Sequence, residues 1–401
     1  MEHLPVPCPD WMAAHISDRG GVISFFDFMD LALNDMKNGS YATGKLRIGP
    51  KGDFVTSPSL GPEFCDLLAS QVVDWVEALL HTDVTSEVIS IIDIGPGEGD
   101  LLFHLIEALQ KKSPSLFKKI KLILIEINEG MKDRQKRRLA PFKDIPICWM
   151  SMKELSDVPV KGIMIAHEIL DALPVDRVVS NNNKLFMQGV KLSTLNNKHY
   201  IEFTNLPLSD SIKNSIIDIS NKIDISIPPQ NSEEGWSTEW HSCLNNWFKE
   251  TSLCLTEGPL LIIDYALEAN RYYSKSRSEG TIISYSSQVS NSNILEKIGT
   301  TDITSHLCLE IIYLLAIKNN WNFVGERKQG LSLLALGLAD KLNDLKQIPN
   351  SKLGEALTKR ENLLRLIDPS CLGDFRWILF NKSSSANSDI LQSRFLKEPN
   401  D

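Results

Sequence analysis

A short apolar run that leads into a glycine-rich turn constrains the fold of this chain most strongly. Residues 88–94 read VISIIDI, a β-branched run typical of a strand that a parallel sheet buries on both faces. The turn GPGEG follows at residues 95–99, and a helix-like segment comes after it. Comparable strand-like runs alternate with segments of helical spacing, at residues 121–127, 147–150 and 162–168. This alternation predicts a doubly wound α/β sheet.

The pattern differs on both sides of this predicted core. Before it, helical spacing at residues 24–33 and 63–80 surrounds a loop at 41–62, which predicts a helical cap over the sheet. After Pro174, Asn-rich turns separate short strand-like runs, at residues 175–180, 185–190 and 199–203. We interpret these runs as an antiparallel insertion.

The second half of the chain is predicted to return to the sheet after a connector. Residues 210–234 are polar and contain Pro228-Pro229, so we expect a loop-rich segment there. The later elements that we expect are a Trp-rich helix at about 237–256, a strand at 258–266, a helix at 302–319 capped by Thr301 or Asp302, and a last strand at 331–338.

These elements predict a core that closes around an inserted segment. The expected parts are an N-terminal helical cap with a substrate-side loop (1–85), a core in two pieces (86–180 and 258–340), an inserted β/helical subdomain (181–257), and a C-terminal helical extension and tail (341–401).

The glycine turn lies where open α/β sheets bind ligands, at the carboxyl end of a strand. Its glycines allow a ligand to approach the backbone closely: Gly95, Gly97 and Gly99. A dinucleotide fingerprint would place its third glycine at position 100, where this chain has Asp100. Asp100 and Glu98 would also repel a pyrophosphate. S-adenosylmethionine has no phosphate and carries positive charge, so Asp93 and the neighbouring acids can attract it, and we predict a class I methyltransferase fold with that cofactor.

Two further strand ends supply candidate cofactor contacts. Glu126 ends the second strand, where its carboxylate can accept hydrogen bonds from both ribose hydroxyls. The alternative is an ion pair between Glu126 and Lys132 or Arg134. Met150 and Ser151 end the third strand, and their position alone suggests contact with the adenine.

Several motifs in one order resemble the MidA family of S-adenosylmethionine-dependent methyltransferases. The motifs are Gly44 with residues 52–58 (GDFVTSP), the turn at 93–99 (DIGPGEG), residues 168–175 (EILDALPV), 263–265 (IDY), Gly280-Thr281, 302–306 (DITSH) and Gln329-Gly330. The resemblance implies a class I fold with an added domain. It also implies symmetric dimethylation of an arginine in a subunit of the respiratory NADH:quinone oxidoreductase, an activity that aids assembly of that complex.

The chain departs from the family pattern at three places, one of which, Asp93 where relatives often carry Glu, keeps the carboxylate. It has His167-Glu168 where relatives often carry Asn-Glu, and residues 282–288 (IISYSSQ) where relatives carry an Arg and a His. Because the second segment follows Gly280-Thr281 directly, the choice of substrate stays open.

Two acids at the end of the fourth strand are the candidate catalytic residues. Glu168 and Asp171 precede Pro174, which prevents a helix from continuing, so both should face the cleft. Methyl transfer mainly requires a nucleophile held in line with the methyl group, and two carboxylates can grip the fork of a guanidinium. The alternative is that Glu168 caps backbone amides of its own loop and Asp171 pairs with Arg177.

Other residues could lie on the substrate side of the cleft. They are Asp53, Thr56 and Ser57 in a loop that the cap could lower onto the cofactor, Asp264 and Tyr265 at the end of a later strand, and His306 in the first turn of a helix. A plain turn, a buried hydrogen-bonded tyrosine and a helix cap at Asp302 are the alternatives. We do not expect His306 to be a general base.

Charge, hydrophobicity and cysteine content limit the classes of partner and ligand that we expect for this chain. A formal net charge of −9 argues against non-specific nucleic-acid binding, and the basic run 132–138 is expected to be a solvated helix face. No apolar run is long enough for direct membrane insertion, and the start of the chain does not resemble a secretory signal, so we expect a cytoplasmic protein. Seven cysteines without a Cys-x-x-Cys pair suggest reduced thiols and no metal site.

We therefore predict a protein-arginine methyltransferase that acts on a subunit of an NADH-dehydrogenase-like complex, and a homodimer is possible. A non-catalytic assembly factor that binds S-adenosylmethionine and a small-molecule methyltransferase are the alternatives.

Overall fold

The computed structural model describes residues 5–82, 88–182, 184–383 and 393–398. The strands are β1 (Val6–Pro7), β2 (Val22–Ser24), β3 (Ile89–Ile94), β4 (Ile120–Ile125), β5 (Ile147–Met150), β6 (Val160–His167), β7 (Asp176–Asn181), β8 (Lys184–Leu195), β9 (Lys198–Pro207), β10 (Ser237–Trp240), β11 (Leu255–Asp264), β12 (Ala266–Leu267), β13 (Ile283–Ser286), β14 (Val289–Asn291), β15 (Asp302–Thr304), β16 (Leu307–Cys308), β17 (Asn322–Lys328) and β18 (Arg376–Lys382).

The helices flank these strands along the whole described chain. They are α1 (Asp10–Asp18), α2 (Phe25–Asn34), α3 (Glu63–Thr82), α4 (Asp100–Lys112), α5 (Pro114–Phe117), α6 (Glu129–Leu139), α7 (Met152–Asp157), α8 (Asp210–Ile223), α9 (Leu244–Cys254), α10 (Ala269–Tyr272), α11 (Leu309–Lys318), α12 (Gln329–Ala335), α13 (Leu338–Asp344) and α14 (Leu353–Ile367).

The central sheet has the order β17-β18-β11-β6-β3-β4-β5 within the described residues. The five strands from β11 to β5 are parallel, whereas β18 runs antiparallel to β11 and β17 antiparallel to β18. The register places Ile94 beside Ile125 and Ala166, so β3, β4 and β6 end at the same edge. The predicted doubly wound sheet is confirmed, and its switch point lies at the end of β3.

Alternate side chains of β3 explain why helices cover both faces of the sheet. Ile91 belongs to one apolar cluster, with residues of α3 and α4, and Ile92 belongs to a second, with residues of α9 and α11. Side chains of a strand alternate between its two faces, so a strand with apolar side chains on both faces needs cover on both.

The predicted antiparallel insertion forms a sheet beside the core. Two N-terminal strands, β1 and β2, also belong to this sheet. Its order is β1-β9-β8-β7-β10, and β2 pairs with β8. Residues of α1 and α2 pack on this sheet, for example Met12 and Phe28 against Val190 and Ile201. Of the two helices predicted to cap the central sheet, the one at residues 24–33 (α2) packs on the antiparallel sheet, so that prediction is wrong, while α3 does pack on the core.

Residues 210–223 form α8, so the loop-rich connector predicted at 210–234 is wrong for its first half. Ser209 caps this helix by accepting a hydrogen bond from the Ile212 amide, and the spacing of Ile212, Ile216 and Ile219 buries one face. Serine, asparagine and β-branched residues lower intrinsic helix propensity, but packing of an apolar stripe overrides it.

Several later predictions were also wrong. Residues 302–308 form the short strands β15 and β16 instead of a helix start, residues 237–240 form β10 instead of a helix, and the last strand predicted at 331–338 lies largely in α12. The predicted C-terminal helical extension contains β18, a central strand of the sheet. Pairing between β18 and β11 joins segments more than 100 residues apart, which local periodicity does not report.

The described part of the chain shows neither a membrane-spanning helix nor a metal-binding group. No helix there is long and apolar enough to cross a bilayer. No group of His, Cys, Asp and Glu side chains in the same residues could hold a metal ion. All seven cysteines are free thiols, and Cys148 and Cys371 are exposed.

Candidate active site

A cleft of about 1350 Å³ of empty space, its open mouth included, lies at the carboxyl ends of the parallel strands. Residues from the glycine turn, from the ends of β4 and β6, and from α9 line it. A segment before α3, residues 47–58, covers one side, and we call it the roof segment. Its lining side chains are Ile48, Phe54, Thr56 and Pro58.

The glycine turn needs its glycines for two reasons. Gly95 has φ +67°, and a Cβ at that position would lie 2.5 Å from Ile169 Cδ1. Gly97 has φ +54°, and a Cβ there would lie 2.9 Å from Ile48 Cδ1 on the roof segment. Side chains rarely adopt positive φ values, and both positions line the cleft, so the turn presents bare backbone to a ligand.

Asp93 presents an unsatisfied carboxylate to the cleft. Its side chain is buried, and Oδ2 has no hydrogen-bond partner among the described residues. Burial, followed by the negative charge of Glu126, raises the pKa of Asp93 to about 8. Unpaired buried carboxylate oxygens are costly, so this atom fits a ligand that brings a donor and a positive charge.

Glu126 is held in place by its neighbours. Oε1 accepts a hydrogen bond from the Asn128 amide, and Oε2 accepts one from Gln135 Nε2, both at 2.9 Å. Burial raises the pKa of this carboxyl. Lys132 pairs with Glu129 and Arg134 pairs elsewhere, so the alternative ion pair with Glu126 does not form.

The other acids of the turn are already neutralised. Arg134 lies 2.5 Å from Glu98, and Arg138 lies 2.8 Å from Asp100. Glu98 and Asp100 therefore offer no unpaired charge to a cation, contrary to the expectation for the acids next to Asp93. The predicted solvated basic face at 132–138 holds for the exposed Lys136 and Arg137 but not for Arg134 and Arg138, which form these ion pairs. Of the acids in the turn and at the ends of β3 and β4, Asp93 and Glu126 remain available to a ligand.

Two predicted cofactor contacts lie outside the cleft lining. Gly99, with φ +86°, is the N-cap of α4. Ser151 caps α7, because its Oγ accepts a hydrogen bond from the Glu154 amide at 3.1 Å. Met152 and Ile127 line the cleft instead, and Ile127 is 71% exposed. The sequence could have indicated Ile127, because it is an apolar residue directly after Glu126 at the end of the second parallel strand.

The inserted segment also contributes to the cleft, which the sequence did not reveal. Trp247 and Glu250 on α9 line it, and α9 contacts α7 through Cys254 Sγ and the Met152 carbonyl. Cys254 and Met152 are 102 positions apart in the chain, and no local motif connects them.

Glu168 lines the cleft and has an unusual backbone conformation. Its φ is +50°, and its amide donates to the Ile263 carbonyl at 2.9 Å. Oε1 accepts a hydrogen bond from the Ser57 amide at 3.4 Å and lies 3.4 Å from His167 Nε2. Burial lowers the pKa of His167 to about 3, so this imidazole is neutral and brings no counter-charge.

Glu168 belongs to a group of four buried carboxyl groups. The others are Asp171, Asp264 and Asp302. Burial raises the pKa of each, with mutual repulsion adding to the effect for Glu168 and Asp171, and the pKa reaches about 7 for Asp264 and about 6 for Asp302. Among the described residues, no ion pair joins any of the four to a lysine or arginine.

Of these four carboxyl groups, Glu168 lines the cleft directly, and Asp302 is connected to the lining through Tyr41. Tyr41 lines the cleft, and its hydroxyl donates to Asp302 Oδ1 at 2.9 Å. Asp171 and Asp264 are buried behind the lining. Arg177 bonds to Gln188 and lies 3.8 Å from Glu239, so the alternative pairing of Asp171 with Arg177 does not form.

The roof segment is fixed from both sides. Asp53 does not line the cleft; its carboxylate accepts hydrogen bonds from the amides of Arg47 and Ser287, each at 2.9 Å. Ser57 is buried and bonds through Oγ to Gln329 Nε2 at 3.0 Å. Gln329 also donates to the Leu372 carbonyl, which ties the roof segment to the C-terminal part of the core.

Tyr265 and His306 lie together behind the cleft. Their rings are 5.4 Å apart, and Tyr265 also stacks on Phe375. His306 lies between β15 and β16, not in a helix, and its amide donates to Thr281 Oγ1 at 3.0 Å. Burial lowers the pKa of His306 to about 4. Thr281 in turn donates a hydrogen bond to Glu239 at 2.9 Å, so it connects residues 302–306 to β10.

Comparisons with known proteins agree with this geometry. A family model described as "Putative S-adenosyl-L-methionine-dependent methyltransferase" matches residues 67–327. A chain from Burkholderia thailandensis, solved bound to S-adenosyl-homocysteine, superimposes with a TM-score of 0.78 at 23% identity and covers 97% of each chain, which shows a shared fold.

The curated relatives have similar sequence identity, and the bovine one matches over a smaller part of the chain. The mitochondrial protein arginine methyltransferase NDUFAF7 of Bos taurus is 27% identical over 180 residues, 39% of each chain. Its Caenorhabditis elegans homolog is 23% identical over 371 residues, 86% of this chain and 79% of that one. The match to the bovine relative thus spans well under half of that protein's length.

Proposed function

This chain belongs to the MidA-type family of S-adenosyl-L-methionine-dependent methyltransferases, and we propose that it methylates an arginine of a protein, with Glu168 holding the guanidinium. The cofactor, when bound, supplies an electrophilic methyl group on a positively charged sulfur. The protein binds the cofactor and the arginine, orients them for methyl transfer and excludes water from the cleft.

The cofactor would be held by the residues left unsatisfied or bare in the cleft. Asp93 offers Oδ2, which lacks a partner, to the ammonium group. Glu126, fixed by Asn128 and Gln135, offers its remaining lone pairs to the ribose hydroxyls. Gly95 allows backbone approach. Ile127 and Met152 provide apolar surface at the next strand end for the adenine.

The observation that supports an arginine acceptor is the Glu168 carboxylate, buried at the cleft without a basic partner. A buried carboxylate is costly unless a cation and hydrogen bonds compensate it. A guanidinium stays protonated at neutral pH and offers donors in a planar fork that matches a carboxylate. Once such a cation binds, it lowers the pKa of Glu168, and the resulting carboxylate can orient one nitrogen and accept its proton.

The printed name of the NDUFAF7 relatives, protein arginine methyltransferase, supports arginine as the acceptor residue. On the motif resemblance to the MidA family, we propose that this chain modifies a subunit of an NADH:quinone oxidoreductase-like complex and aids its assembly. We expect an arginine-containing peptide of that subunit to be heavier by one or more methyl groups in cells with this gene than in cells without it. Mass spectrometry of the subunit measures this difference. Identical masses would contradict the proposal. Assembly restored by a Glu168→Gln variant would favour the non-catalytic assembly factor.

Cofactor binding is expected to weaken as the pH falls from 8 to 6. Asp93 has a pKa of about 8 in the cofactor-free protein, and a bound cation favours its ionised form. Below pH 8 binding must therefore release a proton, and the Kd for S-adenosylmethionine should rise by on the order of tenfold per pH unit at most. Calorimetric titrations at several pH values measure this. The Asp93→Asn variant should bind weakly with a flat profile, and a flat wild-type profile would refute the assignment.

A further inference from the structure

Glu168 adopts a backbone conformation that must be held by its surroundings. Its φ of +50° lies in the left-handed region, which residues with a side chain rarely occupy. Such strain persists only where neighbouring structure fixes it, and it concentrates at functional sites. The turn from Glu168 to Asp171 therefore needs an anchor.

Asp264 supplies contacts of the required kind. It ends β11, the strand next to β6, and its side chain is fully buried. Oδ2 accepts hydrogen bonds from the amides of Leu170 at 2.9 Å and Asp171 at 3.3 Å. Oδ1 accepts a hydrogen bond from the Tyr265 amide at 2.8 Å. One carboxylate thus gathers three backbone amides, two of them from the turn that follows Glu168.

The residue type matters at this position. A carboxylate is a pure acceptor, so both its oxygens can face amide donors. An asparagine of the same shape would turn one NH₂ group toward N–H donors. The protein retains an acid here although Asp171 and Glu168 are negative neighbours that oppose it.

The geometry points to Asp264 as the positioning residue that sets the conformation of Glu168 for methyl transfer. This inference rests on the role proposed above for Glu168. Asp264 does not line the cleft, and its hydrogen bonds to the turn go to backbone amides, whereas His167 and Ser57 contact the Glu168 side chain itself. It acts through Glu168 and not on the substrate.

An Asp264→Asn variant tests the inference through a split between turnover and cofactor affinity. Misplacement of Glu168 by about an ångström should lower kcat by about a hundredfold. The Kd for S-adenosylmethionine should stay within about twofold, because Asp93 and Glu126 lie on other strands. Asp176→Asn is the matched control: Asp176 is also buried but lies in the inserted sheet and bonds to Ser242. Control turnover should match wild type.

A double-mutant cycle separates positioning from a general loss of structure. Glu168→Gly removes the carboxylate and accepts a positive φ without strain. In that background, Asp264→Asn should cause no further loss of the residual rate. An equal loss in both backgrounds, or unchanged turnover in the Asp264→Asn single variant, would overturn the inference. Full turnover in Glu168→Gly would instead refute the proposed role of Glu168.

If Asp264→Asn does not fold, Asp264→Glu takes its place. It keeps the charge and shifts the acceptor oxygens by one methylene, so circular dichroism and cofactor binding should stay normal while kcat falls. Wild-type kcat in that variant would overturn the inference.

Discussion

Replacing Glu168 with glutamine is expected to lower the turnover of methyl transfer by about a thousandfold, within the range of a positioned acid or base. The substitution keeps shape and volume but removes the charge that pairs with a guanidinium and accepts its proton. Cofactor affinity should be nearly unchanged, because Asp93 and Glu126 hold the cofactor. Single-turnover measurements with saturating S-adenosylmethionine isolate the step.

Glu257→Gln is the matched control for this prediction. Glu257 lies near the start of β11, at the opposite edge of the sheet, and its partner is Lys161 at 3.2 Å. A Glu168→Gln variant that turns over as fast as the Glu257→Gln control would show that Glu168 has no part in the reaction.

Replacing Gly97 with valine is expected to weaken S-adenosylmethionine binding by at least about a hundredfold. A left-handed conformation costs roughly 1–2 kcal/mol for a residue with a Cβ, and β-branching adds to it. The Cβ would lie 2.9 Å from Ile48 Cδ1, so the valine side chain either shifts the Ile48 side chain or occupies the cleft. Calorimetric titration with S-adenosylmethionine and its demethylated product measures the loss.

Gly21→Val controls for the backbone strain alone. Gly21 has φ +86°, but nothing lies within 4 Å of a Cβ placed there, and it is not part of the cleft lining. This variant should lose stability while retaining affinity. Equal losses of affinity in both variants would mean that Gly97 affects binding only through the fold.

The sequence predicted those parts of the fold that short-range patterns specify. The parallel strands β3 to β6 are apolar runs that alternate with segments of helical spacing, and this pattern predicts a doubly wound sheet. It did not predict β17 and β18, since their place in the sheet depends on pairing with distant segments. It also missed α8, whose composition disfavours a helix that packing stabilises.

For the candidate site too, the sequence predicted what short-range patterns specify and missed what depends on distant contacts. Asp93, Gly95, Gly97, Glu126 and Glu168 line the cleft as predicted from strand ends. A strand end, however, does not reveal whether the next side chain points into a cleft or back into the core. Asp264 and Asp53 turn away and bind backbone amides, and Glu98 pairs with Arg134 across 36 positions. These outcomes depend on three-dimensional packing.

The most direct test of methyl transfer to arginine uses S-adenosylmethionine deuterated in its methyl group. Proteins from cells that lack this gene are incubated with the purified chain or its Glu168→Gln variant, and their peptides are analysed by mass spectrometry. We predict deuterated methyl groups on a guanidino nitrogen of one protein, with the wild-type chain only. Label confined to small molecules or to another side chain would contradict the account.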